Sequence, residues 1–386
     1  MTHASIQSKL PGVGTTIFTV MSQLSAEHGA INLSQGFPSF EPPDTLLERF
    51  QFHLRHGANQ YAPMPGLPAL THAIADKIER MHGYRPDTGS ELTVCTGATE
   101  GMFCVITAMI RPGDEVIVLD PAYDAYEPAV ELAGGVTRHV PLAIVDGEFR
   151  PDWERVADAL STKTRLLILN FPHNPTGAVL TADDLDIVAN LLRDTDTFVA
   201  ADEVYEHILF DGTPMAGVTA HDELRERSFA VSSFGKTLHA TGWKIGYVSA
   251  PAALTAEFRK VHQFATFAVN TPAQHAVADF LNQHAGFVDE LSTFYQEKRD
   301  HFVSLLADSR LELVPTRSTF FQLVDYSAIS DEVDTQIAKR WTIQHGVASI
   351  PLSVFCETPL TGQRLRLCFA KDDATLERAA ETLRRL

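Results

Sequence analysis

From about residue 90 the chain alternates short apolar runs with longer stretches whose apolar residues recur at helical spacing. EVIVLD (115–120), RLLILN (165–170), TFVAAD (197–202), SFAVSS (228–233) and IGYVSA (245–250) are apolar almost throughout, as strands buried on both faces are. Between them, TADDLDIVANLLRD (181–194) has the period of an amphipathic helix, with Thr181 as N-cap and an acidic first turn. This alternation predicts an α/β layered domain with a mostly parallel sheet, and such sheets bind ligands beyond the carboxyl ends of their strands.

Outside that block the pattern changes. The first ~40 residues read as irregular, rich in Gly, Pro and Ser, and end in SQGFPSFEPPD. After about residue 272 one long helical stretch is predicted over 273–309, then short strands in FFQLVDY (320–326) and RLRLCFA (364–370), then a closing helix in 372–386. Strands mixed with helices predict a second, smaller α+β domain joined by the amino-terminal segment. The expected division is 45–275 for the large domain and 1–44 with 276–386 for the small one.

Four of the apolar runs finish in polar clusters. PAYDAY follows EVIVLD, FPHNPTG follows RLLILN, EVYEHI follows TFVAAD, and FGK follows SFAVSS. Together they offer the complementary groups that one flat, anionic, heteroaromatic ligand would need. Asp202 ends an apolar strand, where a carboxylate is costly unless paired or hydrogen-bonded. It is either a helix N-cap for EVYEHI or the partner of a protonated ring nitrogen. Tyr205, three residues on, shares its face if a helix starts there; its hydroxyl could reach the same ligand, or its ring could simply pack. NPTG (174–177) is a tight turn in which the Asn174 amide could also donate to a ligand. TGATEGMFCVITAMI (96–110) reads as a glycine turn entering an apolar helix, whose free N–H groups favour a phosphate. Ser233 and Lys244 could complete that cradle. Tyr123 is either a half-buried loop aromatic or a ring face for a planar ligand. Arg366 alternates with leucines in RLRLCFA, so it is either solvated or aimed into a cleft to grip a carboxylate.

Composition narrows the choice. At 386 residues the chain can hold two domains and a large core. A formal net charge of −18 argues against nucleic acid or an anionic membrane as partner, so an anionic ligand would need a local cluster of donors. The opening MTHASIQSKLPGVGTT has no apolar h-region, and no apolar run reaches the ~18 residues of a membrane span. Cys95, Cys104, Cys356 and Cys368 form no CxxC pair and sit in apolar segments, which predicts buried reduced thiols and a cytoplasmic location. Scattered histidines without HExxH give no expectation of a metal.

In their order these residues resemble the fold-type-I pyridoxal-phosphate enzymes, in particular the class I/II aminotransferases. The resemblance runs from INLSQGFPSF (31–40) through NQYAPMPGLPAL (59–70), TGATEG, DPAYDAY, NPTG, DEVYEHI and SFGKTLHATGWKIGY (233–247) to RLRLCFA. SQGFPSF and NQYAPMPG look most like the methionine, glutamine and kynurenine aminotransferases. The resemblance implies a mostly parallel seven-stranded sheet between helices, a homodimer with composite sites, and pyridoxal 5′-phosphate as cofactor. Lys236 would hold the cofactor as a Schiff base and then act as general base at the substrate Cα. Asp202 would pair with the ring nitrogen, Tyr205 and Asn174 would bond the ring oxygen, and Tyr123 would stack on the ring. The Ala98 and Thr99 amides, Ser233 and Lys244 would hold the phosphate. Many members have arginine where Lys244 stands; lysine keeps the charge and loses the fork. Tyr61 would reach the phosphate of the partner subunit. Arg366, Asn174 and the backbone of Gly36 would bind the substrate α-carboxylate, with Phe18 lining the side-chain pocket. QFATFAVNTPAQ (263–274), similar to the segment that reaches the partner's pocket, has no arginine. Methionine, glutamine and aromatic donors are therefore expected ahead of aspartate. A cysteine-conjugate C–S β-lyase would use the same lysine and pocket and is the competing reading. A cofactor-binding regulator would need a DNA-binding module, and a dinucleotide enzyme would need a GxGxxG after its first strand.

Overall fold

The five apolar runs are strands of one seven-stranded sheet in the computed structural model, which describes residues 6–358 and 362–386. Its members are β1 (Leu92–Cys95), β2 (Glu115–Asp120), β3 (Val136–Pro141), β4 (Thr164–Asn170), β5 (Phe198–Asp202), β6 (Ser228–Ser233) and β7 (Gly246–Ser249), in spatial order β1-β7-β6-β5-β4-β2-β3. Only β7 runs against its neighbours; the other pairs are parallel. Side chains alternate between the faces of the sheet. Leu167, Leu169, Val199 and Ala201 enter one core, while Leu166, Ile168, Ala200 and Phe229 enter the other. Both faces are covered, so the central strands are apolar at nearly every position.

Helices follow their capping signals. The expectation of irregular structure over the first ~40 residues is corrected: α1 spans Ile17–His28. Thr16 caps it by accepting from the Thr19 amide at 3.3 Å, and Gly29 ends it at φ 62°. The Gly and Pro of this segment lie outside the helix, whereas Ser22 and Ser25 lie within it. α2 (Gly97–Met109) leaves the end of β1, and α3 (Ala182–Leu192) has Thr181 as N-cap in a full capping box with Asp184. The short α4 (Phe234–Thr237) follows β6, and α5 (Ala252–Ala265) follows β7. The single helix expected over 273–309 is two: α6 (Thr271–Gln283) and α7 (Ala285–Leu306). The break falls at His284, whose backbone leaves helical geometry while its ring packs on Phe280. α8 (Asp373–Leu383) closes the chain.

A four-stranded antiparallel sheet lies in the carboxyl-terminal part: β8 (Glu312–Leu313), β9 (Phe321–Asp325), β10 (Ile350–Pro351) and β11 (Arg364–Cys368), in order β8-β9-β11-β10. Residues Ile31–Asn32 pair in parallel with Val347–Ala348, fastening the amino-terminal segment to this region. Among the described residues no helix is long and apolar enough to cross a membrane.

Candidate active site

β4, β5 and β6 are parallel neighbours, so Asn170, Asp202 and Ser233 finish side by side. Beyond those ends lies a cavity of about 540 Å³. Ala98, Thr99, Tyr123, Asn174, Asp202, Tyr205, Ser233, Lys236 and Lys244 all line it. Residues as far apart in the chain as Ala98 and Lys244 are thus brought to one place by the topology.

Lys236 sits on α4, whose N-cap is Ser233, so the Ser-Phe-Gly stretch is the first turn of a one-turn helix. Its Nζ donates to the Gly36 carbonyl at 2.8 Å and lies 5.6 Å from the Tyr205 ring centroid. Burial lowers the amine to about 8, with the Arg366 and Lys244 charges pushing the same way. Gly36 is required by packing: a Cβ there would meet Phe321 Cζ at 2.8 Å. Its carbonyl, an acceptor, cannot serve a carboxylate, which leaves only its N–H for that role.

Asp202 is held differently from either expectation. Residues 203–206 form a turn, with Glu206 N bonded to Glu203 O at 2.9 Å, so no helix starts at Asp202. The acidic side chains that would have faced solvent on a helix are buried instead: Glu206 pairs with Lys77 at 2.6 Å, and Glu203 accepts from the Val218 amide at 2.9 Å. One Asp202 oxygen, Oδ2, accepts from the Tyr126 hydroxyl at 2.6 Å. The other, Oδ1, is buried without a hydrogen-bond partner among the described residues. Burial raises the carboxyl to about 6, with the Tyr126 and Val204 hydrogen bonds and the Lys236 charge pulling it back. A protonated ring nitrogen in the cavity would supply the donor that Oδ1 lacks.

The start of α2 forms a cradle with Lys244. Gly97 has φ 73°, and a Cβ on it would stand 3.1 Å from Lys244 Nζ. Glu100 braces this turn from behind, accepting from Thr96 N (2.9 Å), Cys104 Sγ (2.9 Å) and His262 Nδ1 (2.8 Å). The Glu100, Cys104 and His262 ligand-type atoms lie within 4.8 Å of one another. With two protons already directed at Glu100 Oε1, the trio serves as a hydrogen-bonded strut. Cys95 and Cys368 are also buried, whereas Cys356 is half-buried.

Arg366 is 1% exposed, so the solvated alternative fails. Its guanidinium lies 4.0 Å from the Phe321 ring centroid and 5.3 Å from that of Phe18. Nη1 donates to Asn174 Oδ1 at 2.8 Å and Nη2 to the Ser34 carbonyl at 2.9 Å. A guanidinium only donates, so Asn174 turns its oxygen to Arg366 and keeps its amide hydrogens for another acceptor. Burial lowers Arg366 to about 10, which leaves it cationic at neutral pH.

Tyr61 does not join the cavity of its own chain. It is 84% exposed, edge-on to Phe267, at a separate hollow bordered by Asn59 and Thr271. Sequence reasoning missed Tyr126, Asn170, Glu100 and His262. Tyr126 stands in the same PAYDAY cluster as Tyr123, and that proximity was the available signal. His262 lies 162 residues from Glu100 and offered none. The orphaned Asp202 oxygen, the Gly97–Lys244 cradle and the inward amine of Lys236 fit pyridoxal 5′-phosphate.

The family model for "Aminotransferase class I and II" matches residues 28–383. Methionine aminotransferase of Escherichia coli K12 is 53% identical over 380 residues, 98% of each chain. Human kynurenine–oxoglutarate transaminase 1 is 32% identical over 411 residues, covering 98% of this chain and 97% of its own. The crystal structure of YbdL from E. coli, described as identifying a methionine aminotransferase function, superposes with a TM-score of 0.96 at 53% identity. It covers 99% of this chain and 100% of its own.

Proposed function

The chain belongs to the class I and II aminotransferases and depends on pyridoxal 5′-phosphate; from that premise we propose that it takes the amino group from methionine, glutamine or an aromatic amino acid and passes it to a 2-oxo acid. One observation carries the reading: the Lys236 amine, lowered by burial to about 8, and the unpartnered Asp202 oxygen face one largely apolar cavity, and Asn174 of its lining accepts from the buried fork of Arg366. When bound, the cofactor supplies an electron sink for the pair released at the donor's Cα.

This chain's residues do the rest. Asp202 Oδ1 pairs with the ring nitrogen, while Tyr126 keeps that carboxylate in place. Tyr205 and Asn174 hold the ring oxygen, and Tyr123 covers the ring face. The amides of Ala98 and Thr99, with Ser233 and Lys244, hold the phosphate. Arg366 grips the α-carboxylate, so the donor's Cα is set beside Lys236. Lys236 Nζ, poised near neutrality by its surroundings, takes the Cα proton. Residues 45–275 form the cofactor-binding part, and 1–44 with 276–386 the smaller part, which carries Arg366. The exposed aromatics Tyr61 (84%) and Phe264 (87%) support a homodimer in which Tyr61 serves the partner subunit's phosphate site. The four free cysteines, Cys95, Cys104, Cys356 and Cys368, support a cytoplasmic enzyme. The named relatives are aminotransferases, which does not favour the β-lyase reading.

The direct test is Lys236→Ala in the full chain. Turnover with methionine should fall by at least about 10⁴-fold, and the visible absorption of the covalently held cofactor should disappear. An active variant of normal colour would sink the assignment.

A further inference from the structure

We propose that Asp124 is a specificity-determining residue that excludes donors and acceptors bearing a second carboxylate. This deepens the donor reading above and rests on it. Asp124 follows the ring-covering Tyr123 and lines the catalytic cavity. It also lines an adjoining cavity of about 510 Å³, so it stands at the junction of the two. No salt bridge to its carboxylate is formed among the described residues; burial pushes the carboxyl up, and the Arg366 charge pulls it back. The nearby wall carries Glu127, which faces His139 at 3.7 Å, and Glu357, with Lys339 as its lysine.

The cations that line the catalytic cavity, Lys236 and Lys244, are both committed to the cofactor. Met102, Phe103 and Leu132 contribute apolar surface to the same lining. A thioether or an aromatic ring meets no electrostatic penalty there, and an amide meets only that of its own desolvation. A side-chain carboxylate would be desolvated next to a like charge, with no cation left to pair with it. Arg366 cannot fill that role, because it must hold the α-carboxylate that every substrate carries.

The test uses the holoenzyme and two non-reactive acids, 4-(methylsulfanyl)butanoate and glutarate, which are methionine and glutamate without their amino groups. Dissociation constants come from calorimetric titration, and the ratio between the two acids is the readout. The wild type should bind glutarate at least about tenfold more weakly, and Asp124→Asn should narrow that gap by about tenfold. Asp124→Ser should narrow it likewise, which separates charge from shape. The ratio of kcat/KM for glutamate over methionine should rise in step. A ratio unchanged within about twofold in both variants overturns the role of Asp124. Equal binding of both acids by the wild type overturns instead the donor reading beneath it.

Discussion

Replacing Tyr126 with Phe removes one hydroxyl and leaves the ring in place, and its consequence follows from the surroundings of Asp202. The lost contact is a 2.6 Å hydrogen bond to Oδ2 between two buried groups. A hydrogen bond to an ionised acceptor contributes about 1.5–3 kcal/mol. At about 1.36 kcal/mol per pKa unit, that is about 1–2 units. The Tyr126 hydroxyl favours the ionised form, so its loss raises Asp202 from about 6 to about 7–8. The ring nitrogen's proton then faces a carboxyl that is largely neutral at pH 7. Cofactor affinity, measured by titrating the apoenzyme from pH 6 to 9, should drop about tenfold near pH 7 and recover toward pH 9. The acid limb of the profile should move up by about 1–2 units, which loss of packing alone would not cause. If affinity stays within about twofold of wild type at every pH, the hydrogen bond has no electrostatic role and the reasoning fails.

Two further substitutions probe the same site. Arg366→Lys keeps the charge and loses the fork, so kcat/KM for methionine should fall about 10²-fold, mostly through KM; wild-type kinetics would contradict the placement of the α-carboxylate. Asp202→Asn should abolish turnover and yet stabilise the cofactor-free protein at pH 8. The folded pKa of about 6 lies above the usual 3.8, so the native state binds the extra proton between those values and loses stability as pH rises through that window. The penalty, about 2–3 kcal/mol, persists above pH 6. Thermal unfolding of both apoproteins at pH 8 should show the variant melting higher, and an equal or lower Tm would show that the buried carboxylate carries no such strain.

The parts of this site that could be read from the chain are those where a strand's end coincides with a change of residue chemistry. Apolar runs announce buried strands, and a parallel sheet gathers their carboxyl ends, so Asn174, Asp202, Tyr205 and Lys236 could be grouped before any coordinates. The errors arose where tertiary partners overrule local pattern. EVYEHI has the spacing of a helix, but Glu206 is committed to Lys77 and Ser232, and the chain turns instead. The amino-terminal helix was concealed by the glycines and prolines that flank it and by the two serines within it. The break at His284 has no proline or glycine at that position to mark it, and there the His284 ring packs on Phe280. Supporting contacts such as Glu100 with His262 join distant segments, and nothing along the chain marks such a pair.

Arg366 shows how closely the two sheets are coupled at the site. A guanidinium with 1% exposure would be a costly bare charge, yet its partners come from segments 332 and 192 residues away in the chain. Ser34 belongs to the amino-terminal segment, Asn174 to the turn after β4, and Arg366 itself to β11. Phe321, on the neighbouring β9, supplies the ring face. Separating these segments would either strand the charge in an apolar pocket or admit water to the place where a substrate carboxylate binds. In the proposed role, the residue that would grip the substrate also ties the amino-terminal segment to the turn after β4. Loss of its fork should loosen both together.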